Sequence, residues 1–234
     1  MSLSLAGLWL LGGLLGGGDE TRDCSASAQA GASTMQRIAE SWPLRFAGDP
    51  VRRYVLRLGQ RIVAQVDPHH VDDWRFFVVR NLEPTAFAVG GNRFVVSDGL
   101  IAFVRNESDL AAVLAHEIAH QRLGHFCDHA PTDAERIRYG SIVQHFDLDT
   151  ERAADADALH LLKAAGYDPG SMFEVLRCLS ERPGAPVSQL QARMRVLQSS
   201  SVRDQPRAHV RVGGLEEIRA HILEESGSSL QRCQ

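Results

Sequence analysis

His116-Glu117-Ile118-Ala119-His120 lies inside a stretch whose two ends are both marked, and its reading organises the rest of the chain. Asn106 is a helix N-cap, Glu107 and Asp109 put negative charge in the first turn, where the macrodipole favours it, and Gly124 follows Leu123 as a left-handed stop. Leu110, Val113, Leu114 and Ile118 recur at three and four residues and form the apolar face. Residues four apart on such a helix lie one above the other. Both imidazoles therefore project from one face and can close on a single zinc ion at about 2.0 to 2.1 Å. Glu117 is rotated off that pair, too far round for a good ligand but placed to act as general base on an attacking water and then to pass the proton to a leaving amine.

A tetrahedral catalytic site needs a third protein ligand and keeps its fourth position open. A second helix, starting at Asp149 or Thr150 and stopped by Gly166 ahead of Asp168-Pro169, offers candidates. Glu151 and Asp155 are four apart, so their carboxylates share a face, and the small Ala153, Ala154 and Ala156 let this helix approach another closely. Glu151 is the expected third ligand, and Asp155 the acceptor that holds a ligand histidine in its tautomer. Without the histidine pair these acids would read as an ordinary solvated helix start. The expected cofactor is one Zn2+ per chain. His69, His70, His160 and His221 read as surface or helix-face residues, whereas one of His125, His129 and His145, in the segment joining the two helices, is a candidate for a place near the metal.

Farther out, Pro50 opens a helix in which Val51, Tyr54, Val55, Leu58, Ile62 and Val63 recur at helical spacing, ending before Asp67-Pro68. Residues 74–80 read as a strand from their aromatic and β-branched content. Residues 86–89 and 93–97 flank Gly90-Gly91-Asn92 as a β-hairpin. Helical periodicity returns over 171–179, 187–197 and 215–223. The order of helices, a small sheet and more helices predicts an α+β domain with the hairpin beside the motif helix.

The chain has 234 residues, 44% hydrophobic and 23% charged, which suits one sizeable core and is short for two full domains. With a net charge of -4 and no basic stripe, nucleic acid is not an expected partner. The first eighteen residues carry no charged side chain and hold six of the 20 Gly. Within them, residues 3–15 contain seven Leu and one Trp. That length serves as the apolar region of a signal peptide and falls short of the roughly 20 residues that span a membrane. The expectation is an exported, periplasmic protein or one held at a membrane of the cell envelope through this segment. Residues 1–34 are then a leader followed by an Ala/Ser/Gly linker over 25–34, and residues 35–234 form the folded domain. Four cysteines, Cys24, Cys127, Cys178 and Cys233, allow three pairings, and the lack of CxxC disfavours a cysteine-based zinc site.

Taken together, Thr85-Ala86-Phe87-Ala88-Val89-Gly90-Gly91, Ser97-Asp98-Gly99-Leu100, the HExxH with Gly124-His125 behind it, and Glu151 with Asp155 resemble the HtpX, BepA and CAAX-prenyl-protease-like group of gluzincin metallopeptidases. The resemblance runs over about residues 49–211. It implies a mostly helical, zincin-like domain and a zinc endopeptidase with His116, His120 and Glu151 as ligands, Glu117 as catalytic base and Asp155 as support behind the ligands. It also implies a role in protein quality control. Two positions depart from the family pattern. Thr85 stands for its Asn, and Gln205-Pro206 with Arg211 stands for its His-Pro and following Arg. Gln205 can donate a hydrogen bond but cannot be a cation, which leaves Gln205, His209 and Arg211 as candidates for oxyanion stabilisation or for regulating access.

The expected reaction is hydrolysis of peptide bonds in protein or peptide substrates that bind extended along the hairpin edge, at Ala86, Phe87, Ala88 and Val89 or over residues 93–96. A zinc-binding, chaperone-like or latent protein is the alternative, motivated by Gln205. A purely structural zinc site would require a fourth protein ligand.

Overall fold

The computed structural model describes residues 25–128, 147–199, 213–230 and 232–233. The apolar leader, Cys24, His129, His145, Gln205, His209 and Arg211 lie outside them. The elements are α1 (Ser25–Ser41), α2 (Pro50–Val63), β1 (Arg75–Val79), β2 (Ala86–Gly90), β3 (Arg93–Ser97), α3 (Asp98–Phe103), α4 (Glu107–Arg122), α5 (His125–Asp128), α6 (Leu148–Ala165), α7 (Gly170–Ser180), α8 (Val187–Ser199) and α9 (Leu215–Ser226). This is the expected α+β class, mostly helical with one three-stranded sheet. Among the described residues no helix is long and apolar enough to cross a membrane.

The motif helix α4 begins where its sequence says it should. Asn106 Oδ1 accepts from the Asp109 N–H at 3.1 Å, and Gly124 takes a positive φ of 72° after the last turn. Glu107 in the first turn accepts from the hydroxyls of Tyr54 on α2, at 2.9 Å, and of Tyr167 just past α6, at 3.2 Å. Those two bonds fix the start of α4 against its neighbours. Residues 110–120 are all buried, so α4 is enclosed on every side, with α2, β2, α6 and α7 packed against it. The α4–α6 contact is close because Ala154 and Ala158 are buried between the helices, and Arg122 Nε donates to Asp157 at 2.8 Å near the end of α4.

In the sheet the order is β1-β3-β2, with β1 parallel and β2 antiparallel to β3. Gly91 and Asn92 join β2 to β3 with φ of 57° and 56°, both left-handed, as a two-residue turn matching the twist of the strands requires. Because β3 is paired on both sides, residues 93–96 offer no free edge, and that half of the expected substrate platform is corrected. Strand β2 remains at an edge. Ala86 and Ala88 face the main core, and Phe87, Val89 and Val95 face away from it. On the main-core side, α2 packs so tightly on β1 that a Cβ at Gly59 would lie 2.3 Å from the Phe76 ring.

The far face of the sheet is covered by α1, through Met35 and Ile38. Here the expected linker over 25–34 is corrected, since these residues are helical. Within the helix, Thr34 Oγ1 donates to the Ala30 carbonyl at 2.9 Å and Ser33 Oγ to the Gln29 carbonyl at 3.3 Å. Gly31 lies close enough to the sheet that a Cβ there would come within 2.6 Å of the Val89 and Gly90 carbonyl oxygens. Composition alone read as flexible, and packing decided otherwise.

Arg45 is fully buried and donates to both oxygens of Asp98, at 2.7 and 2.9 Å, to Asp49 at 2.9 Å and to Glu225 at 2.7 Å. It joins the cap of α2, the start of α3 and the end of α9. A disulfide joins Cys178 on α7 to Cys233, and Cys127 is disulfide-bonded as well.

Candidate metal centre and active site

Packing α6 across α4 brings Glu151 to the two motif histidines. His116 Nε2 lies 3.0 Å from His120 Nε2 and 3.3 Å from Glu151 Oε2, and His120 Nε2 lies 3.7 Å from Glu151 Oε1. All three residues are buried. Ligand atoms around a tetrahedral zinc with bonds of about 2.0 to 2.1 Å stand about 3.3 to 3.4 Å apart, so these separations bracket the required spacing. The donor set, two imidazoles and a carboxylate, is one that zinc takes in catalytic sites. Glu151 Oε2 is also buried and accepts no hydrogen bond, its contact with Arg193 being an ion pair only, so a lone pair is left for a metal. The residues fit the metal. Among the described residues no second such group of His, Cys, Asp or Glu occurs.

Each histidine turns Nε2 inward and Nδ1 outward to a partner. His116 Nδ1 meets Asp155 Oδ1 at 3.1 Å, and His120 Nδ1 meets His125 Nδ1 at 2.9 Å. Offering Nε2 to a metal requires the proton on Nδ1, which Asp155 and His125 can accept. Burial and Arg193 pull the His116 imidazole down, but the Asp155 and Glu151 carboxylates outweigh them and hold its pKa up at about 9. The pocket thus favours positive charge at this point.

Glu117 lies off the ligand group, as its helical angle predicts, and its Oε2 accepts from the Ala88 N–H at 2.9 Å. Burial, opposed by His116 and reinforced by Glu151, pushes its carboxyl up to about 7. The strand register explains how Ala88 reaches it. Ser97 N–H bonds Thr85 O at 2.9 Å, so in the antiparallel ladder Thr85 and Phe87 turn toward β3, whereas Ala86 and Ala88 turn their backbone groups the other way. The edge of β2 and the carboxylate of Glu117 therefore share one side of the site.

Arg193 on α8 is the participant that the sequence reading missed. It is 1% exposed and donates to Asp155 Oδ2 from Nε at 2.8 Å and to Asp155 Oδ1 from Nη2 at 2.5 Å. Its Nη1 approaches Glu151 Oε2 to 2.7 Å as an ion pair without the alignment of a hydrogen bond. Leu190, Met194 and Leu197 share its face of α8, so an arginine in the apolar stripe was the available signal. A cavity of about 320 Å³ lies elsewhere, walled by Glu83, Phe103, Arg182 and the Cys178–Cys233 disulfide, and none of the metal group lines it.

A buried His-His-Glu group on two crossed helices, with a glutamate beside an edge strand, is the arrangement of a zincin-like domain. The comparison with known families points the same way, because residues 51–132 match the model of peptidase family M48. It is similar to the beta-barrel assembly-enhancing protease of Yersinia pestis, 28% identical over 212 residues, covering 73% of this chain and 43% of that protein. The Escherichia coli K12 protein of the same name is 28% identical over 190 residues, 66% of this chain and 37% of the relative. The mitochondrial metalloendopeptidase OMA1 of Schizosaccharomyces pombe is 38% identical over 76 residues, 32% of this chain and 22% of the relative. The chain therefore spans about two fifths of the length of the first two relatives.

Proposed function

We propose that this chain is a zinc-dependent endopeptidase that hydrolyses peptide bonds within unfolded or flexible protein segments, acting in protein quality control at the cell envelope. The observation that carries the reading is the convergence of His116, His120 and Glu151 with Glu117 held beside them against β2. Zinc bound by the three ligands supplies Lewis acidity toward water and the scissile carbonyl. Glu117 takes the proton of the attacking water and delivers it to the leaving amine. Asp155 holds His116, and His125 holds His120, each fixing the ring that presents Nε2.

Substrate lies extended along β2, pairing with the outward Ala86 N–H and the Ala86 and Ala88 carbonyls while the Ala88 N–H stays with Glu117, which selects for a segment able to adopt a strand rather than for one sequence. Gln205, His209 and Arg211 are the candidates for stabilising the oxyanion. Relatives named for enhancing β-barrel assembly support a place in the envelope, with the apolar segment at residues 3–15 as export signal or membrane attachment. Zinc content and casein cleavage of the purified chain test the reading. It predicts one zinc per chain and cleavage that a chelator stops and added zinc restores. A zinc-loaded chain that suppresses aggregation but cuts nothing would favour the chaperone-like alternative.

A further inference from the structure

A guanidinium is costly to bury, and its partners must compensate closely. Arg193 meets that requirement with Asp155 alone, through two parallel bonds. Yet its remaining terminal nitrogen, Nη1, makes an ion pair with Glu151 Oε2 at 2.7 Å, and Nη2 also lies 3.4 Å from His116 Nδ1. One planar group thus touches the carboxylate proposed to ligate the metal, the carboxylate behind His116, and His116 itself. Glu151 and Asp155 sit one turn apart on α6, and Arg193 reaches them from a different helix, so the contact fixes their side chains relative to each other as well as to the backbone.

The geometry points to Arg193 as a positioning residue that clamps Glu151 and Asp155 together, presenting the Glu151 carboxylate to the two imidazoles in a single orientation. A carboxylate otherwise rotates between one-oxygen and two-oxygen coordination, and two buried carboxylates without the cation repel each other. The inference rests on the zinc reading above. The clamp needs a planar, forked cation, which lysine cannot imitate although it carries the same charge.

The test uses the full chain as wild type, Arg193→Met and Arg193→Lys, each checked for folding by circular dichroism. The readouts are zinc affinity by chelator competition and the visible spectrum of the Co(II)-substituted protein. The clamp predicts zinc binding weaker by about 10- to 100-fold in Arg193→Met. It also predicts an altered Co(II) spectrum in both variants. Wild-type affinity and spectrum in a folded Arg193→Met would overturn it, as would full restoration of the spectrum by Arg193→Lys, which would reduce the role to charge. If Arg193→Met does not fold, the Arg193→Lys spectrum decides alone. A wild-type chain that binds no zinc overturns the metal reading itself, a result distinct from equal binding by all three proteins.

Discussion

The Ala88 N–H donates to the Glu117 carboxylate at 2.9 Å, a bond from the edge strand to the helix that carries both candidate histidine ligands. It sets the direction of Glu117 and satisfies a buried donor. Removing the acceptor leaves that N–H unpaired, at a cost of about 1 to 3 kcal/mol. Glutamine retains an acceptor and alanine does not, so Glu117→Ala should be less stable than Glu117→Gln by about that amount in urea unfolding. Equal stabilities would mean the bond contributes nothing.

Asp155 should matter to the metal without touching it. Asp155→Asn can still accept from His116 Nδ1 but cannot balance Arg193, which donates to both of its oxygens. Zinc affinity is expected to fall by about 10- to 100-fold. Chelator competition measures it, and a value within twofold of wild type would remove Asp155 from the site.

Much of this arrangement was legible in the chain. The limits of α4 followed from Asn106 and Gly124, and the nearness of Glu151 to the histidines from two four-residue spacings and an alanine-rich face. What was not legible depends on contacts distant in sequence. Residues 25–34 look like a linker until Gly31 is seen against the Val89 and Gly90 carbonyls, and the central position of β3 comes from its parallel pairing with β1 across intervening chain. Arg193 was hidden for a related reason, since its partners lie on α6 and no local rule connects a charge in an apolar stripe to carboxylates 38 and 42 residues away.

The packing of α2 on the sheet can be probed away from the metal. A Cβ at Gly59 would meet the Phe76 ring at 2.3 Å, and Phe76 stacks in turn on Phe94, with centroids 5.1 Å apart. Gly59→Ala should therefore destabilise by about 1 to 3 kcal/mol, despite alanine's better helix propensity, with zinc affinity unchanged. Thermal unfolding with and without zinc checks both halves. A stabilised variant would contradict the packing described.

The Cys178–Cys233 disulfide closes a 55-residue separation. Loop closure over that length is worth about 4 kcal/mol in the chain-entropy account. A double Cys178→Ser, Cys233→Ser chain should lose stability of that order in denaturant unfolding while keeping its zinc. Unchanged stability would show that the bond does not constrain the unfolded chain.

The most direct test of the account is casein cleavage by Glu117→Gln at a zinc content matched to wild type. With the ligands intact and the base gone, cleavage should fall by about 10²- to 10⁴-fold while bound zinc stays at one per chain. Wild-type cleavage by a fully loaded Glu117→Gln would contradict the assignment of Glu117 as the base and the mechanism built on it.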